Sequence, residues 1–195
     1  MTQTTVFIGD SVTDCGRLNL PPYGDGYVRD IVESGRLDGE VINVGTSGHR
    51  LVDLKARWLT DVMAYRPTRV SIAIGINDTW RRYDDNDPTS VDSFEANYRS
   101  VLNSTLELSS VELVLCEPFL LHVLPEMETW REDLDPKIAV VHRLAAEYDA
   151  KLVPFDKHLN GLTKSVPMVE IADDGIHPSA FGHHEMAMLW LDSVL

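Results

Sequence analysis

The chain has 195 residues, of which 44% are hydrophobic and 25% are charged, and its formal net charge is −14. A chain of this length and composition can bury a substantial core, so we expect one α/β domain over residues 1–195 rather than a disordered chain. The acidic excess disfavours nucleic acids and anionic membranes as partners, because both are bound through clustered lysine and arginine.

Cysteine content and hydropathy narrow the class of protein further. The two cysteines are too few for a disulfide framework or a structural zinc site, and we interpret them as reduced thiols. The first residues show no basic region followed by an apolar stretch and a cleavage site. No apolar run approaches the roughly 20 residues needed to span a bilayer. These observations predict a soluble, cytoplasmic protein.

Five apolar runs of strand length occur along the chain, and they are too continuous for half-exposed strands. They cover residues 4–9, 40–45, 69–75, 111–118 and 150–155. Helix-like segments lie between and after them, at 51–65, 93–108 (with Ser93 as N-cap), 135–150 and about 179–194. Strands alternating with helices predict an open, doubly wound parallel sheet.

Two further segments are predicted to be irregular. Residues 81–90, RRYDDNDPTS, are polar and rich in turn-forming residues, which indicates a loop. Residues 118–130, PFLLHVLPEMETW, follow the fourth strand and are expected to overhang a site there. Trp58 and Trp190 fall on helical apolar stripes and are expected in the core.

Chemistry-bearing residues collect where the predicted strands end. Ligands bind beyond the carboxyl ends of the strands in open parallel sheets, so residues just after the strands share one edge. The residues that follow the first three strands, or precede the last helix, are Ser11, Gly45, Asn77, Asp174 and His177.

These residue types are the ones that acyl transfer from an ester requires. A serine hydroxyl needs a neighbouring base to become a nucleophile, and histidine titrates near neutrality. A carboxylate on the other ring nitrogen fixes the tautomer, and Asp174 lies three residues before His177. Backbone N–H groups of Ser11 and Gly45 and the amide of Asn77 are candidates to stabilise a developing oxyanion.

Four ordered sequence blocks resemble those of the GDSL, or SGNH, hydrolases: GDS at 9–11, the glycine of NVGTSG at 45, GIND at 75–78 and DGIH at 174–177. The resemblance implies a flavodoxin-like three-layer fold around a central five-stranded parallel sheet. It implies a cofactor-free serine esterase with Ser11 as nucleophile, His177 as base and Asp174 as third triad member. It assigns the oxyanion hole to Ser11, Gly45 and Asn77.

Other candidate residues have simpler interpretations. Ser47 lacks the Gly-x-Ser-x-Gly spacing of a nucleophile elbow. His183 and His184 are adjacent on a helix and point about 100° apart, so we expect a solvated face there and no metal site. Asp173 is an alternative partner for His177, with a less favoured spacing than Asp174.

Aromatic and polar residues near the predicted edge are candidates for substrate contact. Trp80 follows the third strand closely, and an aromatic ring there can wall an acyl pocket or stack on a sugar. Asp10 and Asp14 are expected foremost to stabilise the turn after the first strand. The candidates for substrate binding are Trp80, Asp10 and Tyr23, with Trp130 weaker and with His49 and His122 left open.

Within the family, FIGDSVTDCGR, DLKARW and GINDTWRRYD look most like bacterial acetylxylan and related carbohydrate acetylesterases. That likeness predicts removal of acetyl groups from an acetylated saccharide. The main rival is a lysophospholipase or thioesterase with an apolar channel lined by residues 118–124. A non-catalytic carbohydrate-binding relative and a nucleotide or flavin binder are further alternatives, although no glycine-rich phosphate loop follows the first strand. The final helix also offers apolar residues for a homo-oligomer.

Overall fold

The predicted five-stranded parallel sheet is confirmed. The computed structural model describes residues 3–195. Its sheet has the order β2-β1-β3-β4-β5, and all neighbouring strands are parallel. The strands are β1 (Thr4–Gly9), β2 (Glu40–Asn43), β3 (Arg69–Ala73), β4 (Glu112–Cys116) and β5 (Lys151–Val153).

Helices cover both faces of the sheet. Within residues 3–195 they are α1 (Ser11–Asp14), α2 (Tyr27–Glu33), α3 (Leu51–Asp61), α4 (Ile76–Asp84), α5 (Val91–Thr105), α6 (Arg131–Glu147), α7 (Phe155–Leu162), α8 (Met168–Ile171) and α9 (Ala180–Val194). Short 3₁₀ helices occupy Met63–Tyr65 and Pro125–Trp130. None of these helices is long and apolar enough to cross a membrane.

The alternation of side chains along β1 divides the core between the two faces of the sheet. Val6 and Ile8 pack with residues of α3, α5 and α6, whereas Phe7 packs with residues of α2, α7 and α9. This alternation follows from the two-residue period of a strand. The result is the expected three-layer, flavodoxin-like arrangement. Trp58 and Trp190 are 2% and 0% exposed, so both are core residues as predicted.

The strand order places a topological switch point between β1 and β3. Connections from these two neighbours lead to opposite halves of the sheet, which opens a crevice beyond their carboxyl ends. Helix α1 begins at Ser11 directly after β1, and α4 begins at Ile76 shortly after β3. The side chains of Ser11 and Asn77 therefore come from the two sides of this crevice.

Several predicted boundaries are wrong. The predicted loop at 81–90 is helical as far as Asp84, because α4 continues through it. The N-cap of α5 is Ser90, whose Oγ accepts the N–H of Ser93, and α6 begins at Arg131 rather than at 135. In each case a helix includes polar or turn-forming residues, and local composition does not reveal this extension.

The segment 118–130 packs into the core and also contacts the loop that carries His177. Phe119, Leu120 and Leu121 are 3%, 0% and 0% exposed. The N–H of Leu121 donates to the carbonyl of Gly175 at 2.9 Å. Because these apolar side chains are buried, they do not line an open channel of the kind that a long acyl chain needs.

Candidate active site

The turn after β1 presents Ser11 at the start of α1. Asp10 caps this helix, since its Oδ1 accepts the N–H of Val12 at 3.0 Å, which confirms its predicted role in the turn. Asp10 is 2% exposed, and burial raises the pKa of its carboxyl to about 7. Gly9 is required by the close approach of β3, because a Cβ there would lie 2.3 Å from the carbonyl oxygen of Ala73.

Ser11, His177 and Asp174 form a continuous chain of hydrogen bonds. The Oγ of Ser11 lies 2.9 Å from Nε2 of His177, and Nδ1 of His177 lies 2.6 Å from Oδ2 of Asp174. A carboxylate accepts only, so the ring donates from Nδ1 and Nε2 is left to accept the serine proton. This is the protonation pattern that a general base requires.

The loop before α9 positions the imidazole through the same carboxylate. Oδ1 of Asp174 accepts the backbone N–H groups of Ile176 at 2.8 Å and of His177 at 2.7 Å. Burial acts to raise the pKa of Asp174, but hydrogen bonds from the ring and backbone of His177 outweigh it and hold that pKa below its usual value. Asp174 is therefore ionised at neutral pH.

Asn77 enters the site from the first turn of α4. It is 2% exposed, and its Nδ2 donates to the carbonyl of His49 at 3.1 Å, which leaves its second amide hydrogen available. The next residue, Asp78, accepts the N–H of Leu51 at 3.0 Å and so ties α4 to the start of α3. Burial raises the pKa of Asp78 to about 6.

Gly45 does not meet the expectation for an oxyanion donor. Its N–H donates to Oδ1 of Asn43 at 2.9 Å, and a Cβ at Gly45 would lie 2.3 Å from the backbone nitrogen of Asp14. The glycine is thus required for packing against α1. Three residues on, Gly48 lies in an exposed turn with a φ of +79°. Within residues 3–195, no hydrogen-bond acceptor engages its N–H.

An aromatic cluster adjoins His177. The ring of Trp80 lies 6.1 Å from the His177 ring in an edge-on arrangement and 6.2 Å from Trp130, which stacks on Tyr83 at 4.9 Å. The structure therefore places Trp80 next to the imidazole. Sequence reasoning missed Tyr83, although its spacing of three from Trp80 would have revealed it had the segment been recognised as helical.

The remaining candidates for substrate contact are Tyr23, His122 and His49. The side chain of Tyr23 packs against the core cluster that contains Phe7, and its carbonyl accepts from Asn43 at 2.8 Å. His122 is exposed. His49 is half-buried, and its Nδ1 accepts from Nε of Arg57 at 3.1 Å. Arg57 was not among the predicted residues, since a helical arginine has no distinguishing pattern.

Ser47 and His183, which the sequence did not favour as site residues, have structural roles. The Oγ of Ser47 donates to Asp14 at 2.7 Å. His184 is exposed as predicted, but the expectation of a solvated face is wrong for His183, which is 5% exposed. Its Nδ1 accepts the N–H of Tyr27 at 3.2 Å, because α9 packs against α2 and the 100° step buries one histidine of the pair. Burial lowers the pKa of His183 to about 4.

Comparison with known proteins identifies the family. Residues 7–185 match the model of the GDSL-like Lipase/Acylhydrolase family. The chain belongs to this family. It is a carboxylic ester hydrolase, and its central parallel sheet flanked by helices is the SGNH hydrolase fold.

Relatives of the chain match it over almost its whole length. It is 35% identical to an acetylxylan esterase of Geobacillus stearothermophilus over 206 residues, which cover 97% of this chain and 92% of that protein. The structure of Axe2, an acetylxylan esterase from the same organism, superposes with a TM-score of 0.89 and covers 98% of this chain and 93% of the other. A GDSL-like lipase from Parabacteroides merdae superposes with a TM-score of 0.93 at 30% identity, covering 98% and 95% of the two chains.

Proposed function

We propose that this hydrolase removes acetyl groups from acetylated saccharides through a triad of Ser11, His177 and Asp174. The observation that carries the proposal is the hydrogen-bond chain from Oγ of Ser11 through the imidazole to Asp174, with distances of 2.9 and 2.6 Å. The acetyl specificity is supported by similarity to an acetylxylan esterase over 97% of the chain.

The proposed reaction proceeds through an acyl-enzyme. Oγ of Ser11 attacks the ester carbonyl while its proton passes to Nε2 of His177, and Asp174 stabilises the resulting imidazolium. The tetrahedral intermediate collapses as His177 returns the proton to the leaving sugar oxygen, which breaks the ester bond. Water then attacks the acetyl-serine with His177 as base, and acetate leaves with Ser11 restored.

The oxyanion of each tetrahedral intermediate needs donors that have no other acceptor. We assign this role to the N–H groups of Ser11 and Gly48 and to the second amide hydrogen of Asn77. Gly48 immediately precedes His49, and the carbonyl of His49 accepts a hydrogen bond from Asn77. The two donors therefore belong to one hydrogen-bonded unit. This assignment replaces Gly45, whose N–H is bound to Asn43. Removal of one such donor typically costs about 2.7 to 4 kcal/mol of transition-state stabilisation.

The burial of the segment that follows β4 favours a small acyl group. The apolar residues Phe119 to Leu121, which would have to line a channel for a long chain, are buried instead. The net charge of −14 also favours a neutral saccharide over an anionic lipid.

The experiment that tests the proposal compares acetyl and octanoyl p-nitrophenyl esters, followed by acetylated xylooligosaccharides, with the wild type and Ser11→Ala. We expect strong preference for acetate, loss of at least about 10³-fold in kcat on Ser11→Ala, and release of acetate from the saccharide. Ser93→Ala, at an exposed serine of α5, is the matched control and should retain wild-type rates. Preference for octanoate would contradict the acetyl specificity, and unchanged activity of Ser11→Ala would contradict the mechanism.

A further inference from the structure

Arg57 joins three segments that surround the candidate active site. Its Nη1 donates to the carbonyl of Val44 at 2.7 Å, its Nη2 to the carbonyl of Gly9 at 3.3 Å, and its Nε to Nδ1 of His49 at 3.1 Å. These acceptors belong to the end of β1, the segment after β2 and the turn at 46–49. A guanidinium suits this arrangement because its five N–H groups lie in one rigid plane.

The contact with His49 connects Arg57 to the proposed oxyanion donors. Arg57 holds the ring of His49, while Nδ2 of Asn77 donates to the carbonyl of the same residue at 3.1 Å. Gly48 precedes His49 directly, and Gly9 lies two residues before Ser11. A displacement of the Arg57 side chain therefore reaches Gly48 and Asn77 through His49, and Ser11 through Gly9 and Asp10.

The remaining contact of Arg57 neutralises its charge within α3. Nη1 lies 2.7 Å from Oδ2 of Asp61, one helical turn further along, and 14% of the Arg57 side chain is exposed. An arginine that served the helix alone would need only this ion pair. The contrast is Arg99 in α5, whose side chain bonds to the carboxylates of Glu95 and Glu147 and to no segment of the site.

We propose that Arg57 is a positioning residue for oxyanion stabilisation, which fixes the turn at 46–49 relative to Ser11 and Asn77. This inference rests on the proposed function, because it assigns Arg57 to the same hydrolytic site. Arg57 touches no reacting atom and acts through His49 and through the carbonyls of Gly9 and Val44.

The first test measures kcat and KM for p-nitrophenyl acetate in Arg57→Gln. Oxyanion donors act mainly in the transition state, so we expect kcat to fall about 10- to 100-fold and KM to change less than about threefold. Arg57→Lys keeps the charge but not the planar fork, and its kcat should lie between those of Arg57→Gln and the wild type. Arg99→Gln is the matched control and should keep a wild-type kcat.

A double-mutant cycle with Asn77→Ala separates positioning from general loss of structure. If Arg57 acts through the unit formed by Asn77 and the turn at 46–49, the double variant loses less activity than the product of the two single losses. Multiplicative losses would overturn the proposal, and so would a folded Arg57→Gln protein with wild-type kcat. Failure of the wild type to hydrolyse acetyl esters through Ser11 would instead contradict the proposed function.

A titration of His49 by NMR shows whether the local contact is broken in a folded protein. Burial and the neighbouring Arg57 charge hold the pKa of His49 below its usual value, so this pKa should rise in Arg57→Gln. Should that variant fail to fold, His49→Leu removes only the ring acceptor. It should lower kcat in the same direction, and a wild-type kcat in His49→Leu would overturn the proposal.

Discussion

Asp174 binds His177 twice, once through the ring and once through the backbone. Its Oδ2 accepts from Nδ1 at 2.6 Å, and its Oδ1 accepts from the main-chain N–H at 2.7 Å. One carboxylate thus sets both the orientation of the imidazole and the conformation of the loop that carries it. A spacing of three residues allows this, because an aspartate side chain readily caps the N–H groups two and three residues further on.

Asp174→Asn is expected to lower kcat by about 10³-fold or more. The amide can donate a hydrogen bond to the ring, which favours the tautomer whose Nε2 carries the proton and cannot accept from Ser11. The measurement is hydrolysis of p-nitrophenyl acetate, with the melting temperature as a check on folding. Asp173→Asn changes the exposed acid next to it and should leave kcat within about twofold. Equal losses in the two variants would contradict the assignment of Asp174.

Asp10→Asn is expected to change how stability depends on pH. Burial raises the pKa of Asp10 to about 7, so between about pH 4 and pH 7 the folded state holds a proton that the unfolded state has lost. The free energy of unfolding therefore falls as pH rises through this window. The asparagine keeps an acceptor for Val12 and removes the dependence. In urea unfolding, the free energy of unfolding of the variant relative to that of the wild type should rise by up to about 4 kcal/mol between pH 4 and pH 8. A difference independent of pH would contradict the buried carboxyl.

His183 is expected to destabilise the fold in acid. Burial lowers its pKa to about 4. Between about pH 6.5 and pH 4 the unfolded state therefore binds a proton on this residue that the folded state does not bind. Stability is therefore lost as pH falls from about 6.5 to 4, by roughly 3 kcal/mol at most. His183→Gln should flatten this part of the urea-unfolding profile, whereas His184→Gln, at the exposed neighbour, should leave it unchanged. Identical profiles for the two variants would count against the buried histidine.

Two glycines are expected to respond oppositely to alanine. Gly45→Ala places a Cβ 2.3 Å from the backbone nitrogen of Asp14, and we expect a loss of about 2 kcal/mol or more. Gly161 lies in α7 with no atom within 4 Å of the added Cβ, so Gly161→Ala should gain about 0.5 to 1 kcal/mol. Urea unfolding of both variants tests this pair. A neutral Gly45→Ala would show that α1 does not pack as closely as the structure indicates.

The sequence was sufficient to bring Ser11, Asn77 and His177 to one edge, because the carboxyl ends of parallel strands share an edge whatever the details of packing. It was insufficient for contacts made between helices. The ring of Tyr83, in α4, stacks on Trp130, which is remote in the chain. His183 is buried because α2 lies against its side of α9.

The choice between Gly45 and Gly48 shows the same limit within a single motif. Both glycines occur in NVGTSG, and either can follow a strand at the site. What separates them is that Asn43 accepts the N–H of Gly45, whereas the N–H of Gly48 has no acceptor among residues 3–195. Hydrogen-bond partners of this kind depend on the fold of the whole segment. The proposed role of Arg57 was hidden for the same reason, since two of its acceptors are the backbone carbonyls of Gly9 and Val44.

The hydrogen bond between Ser11 and His177 joins residues that are 166 positions apart in the chain. During synthesis, Ser11 leaves the ribosome long before the loop that carries His177, so its hydroxyl lacks this partner throughout most of translation. In the proposed mechanism, Ser11 becomes reactive only after the loop before α9 has emerged and placed His177 beside it. The order of residues along the chain thus delays assembly of the proposed triad until His177 has been synthesised and its loop has folded.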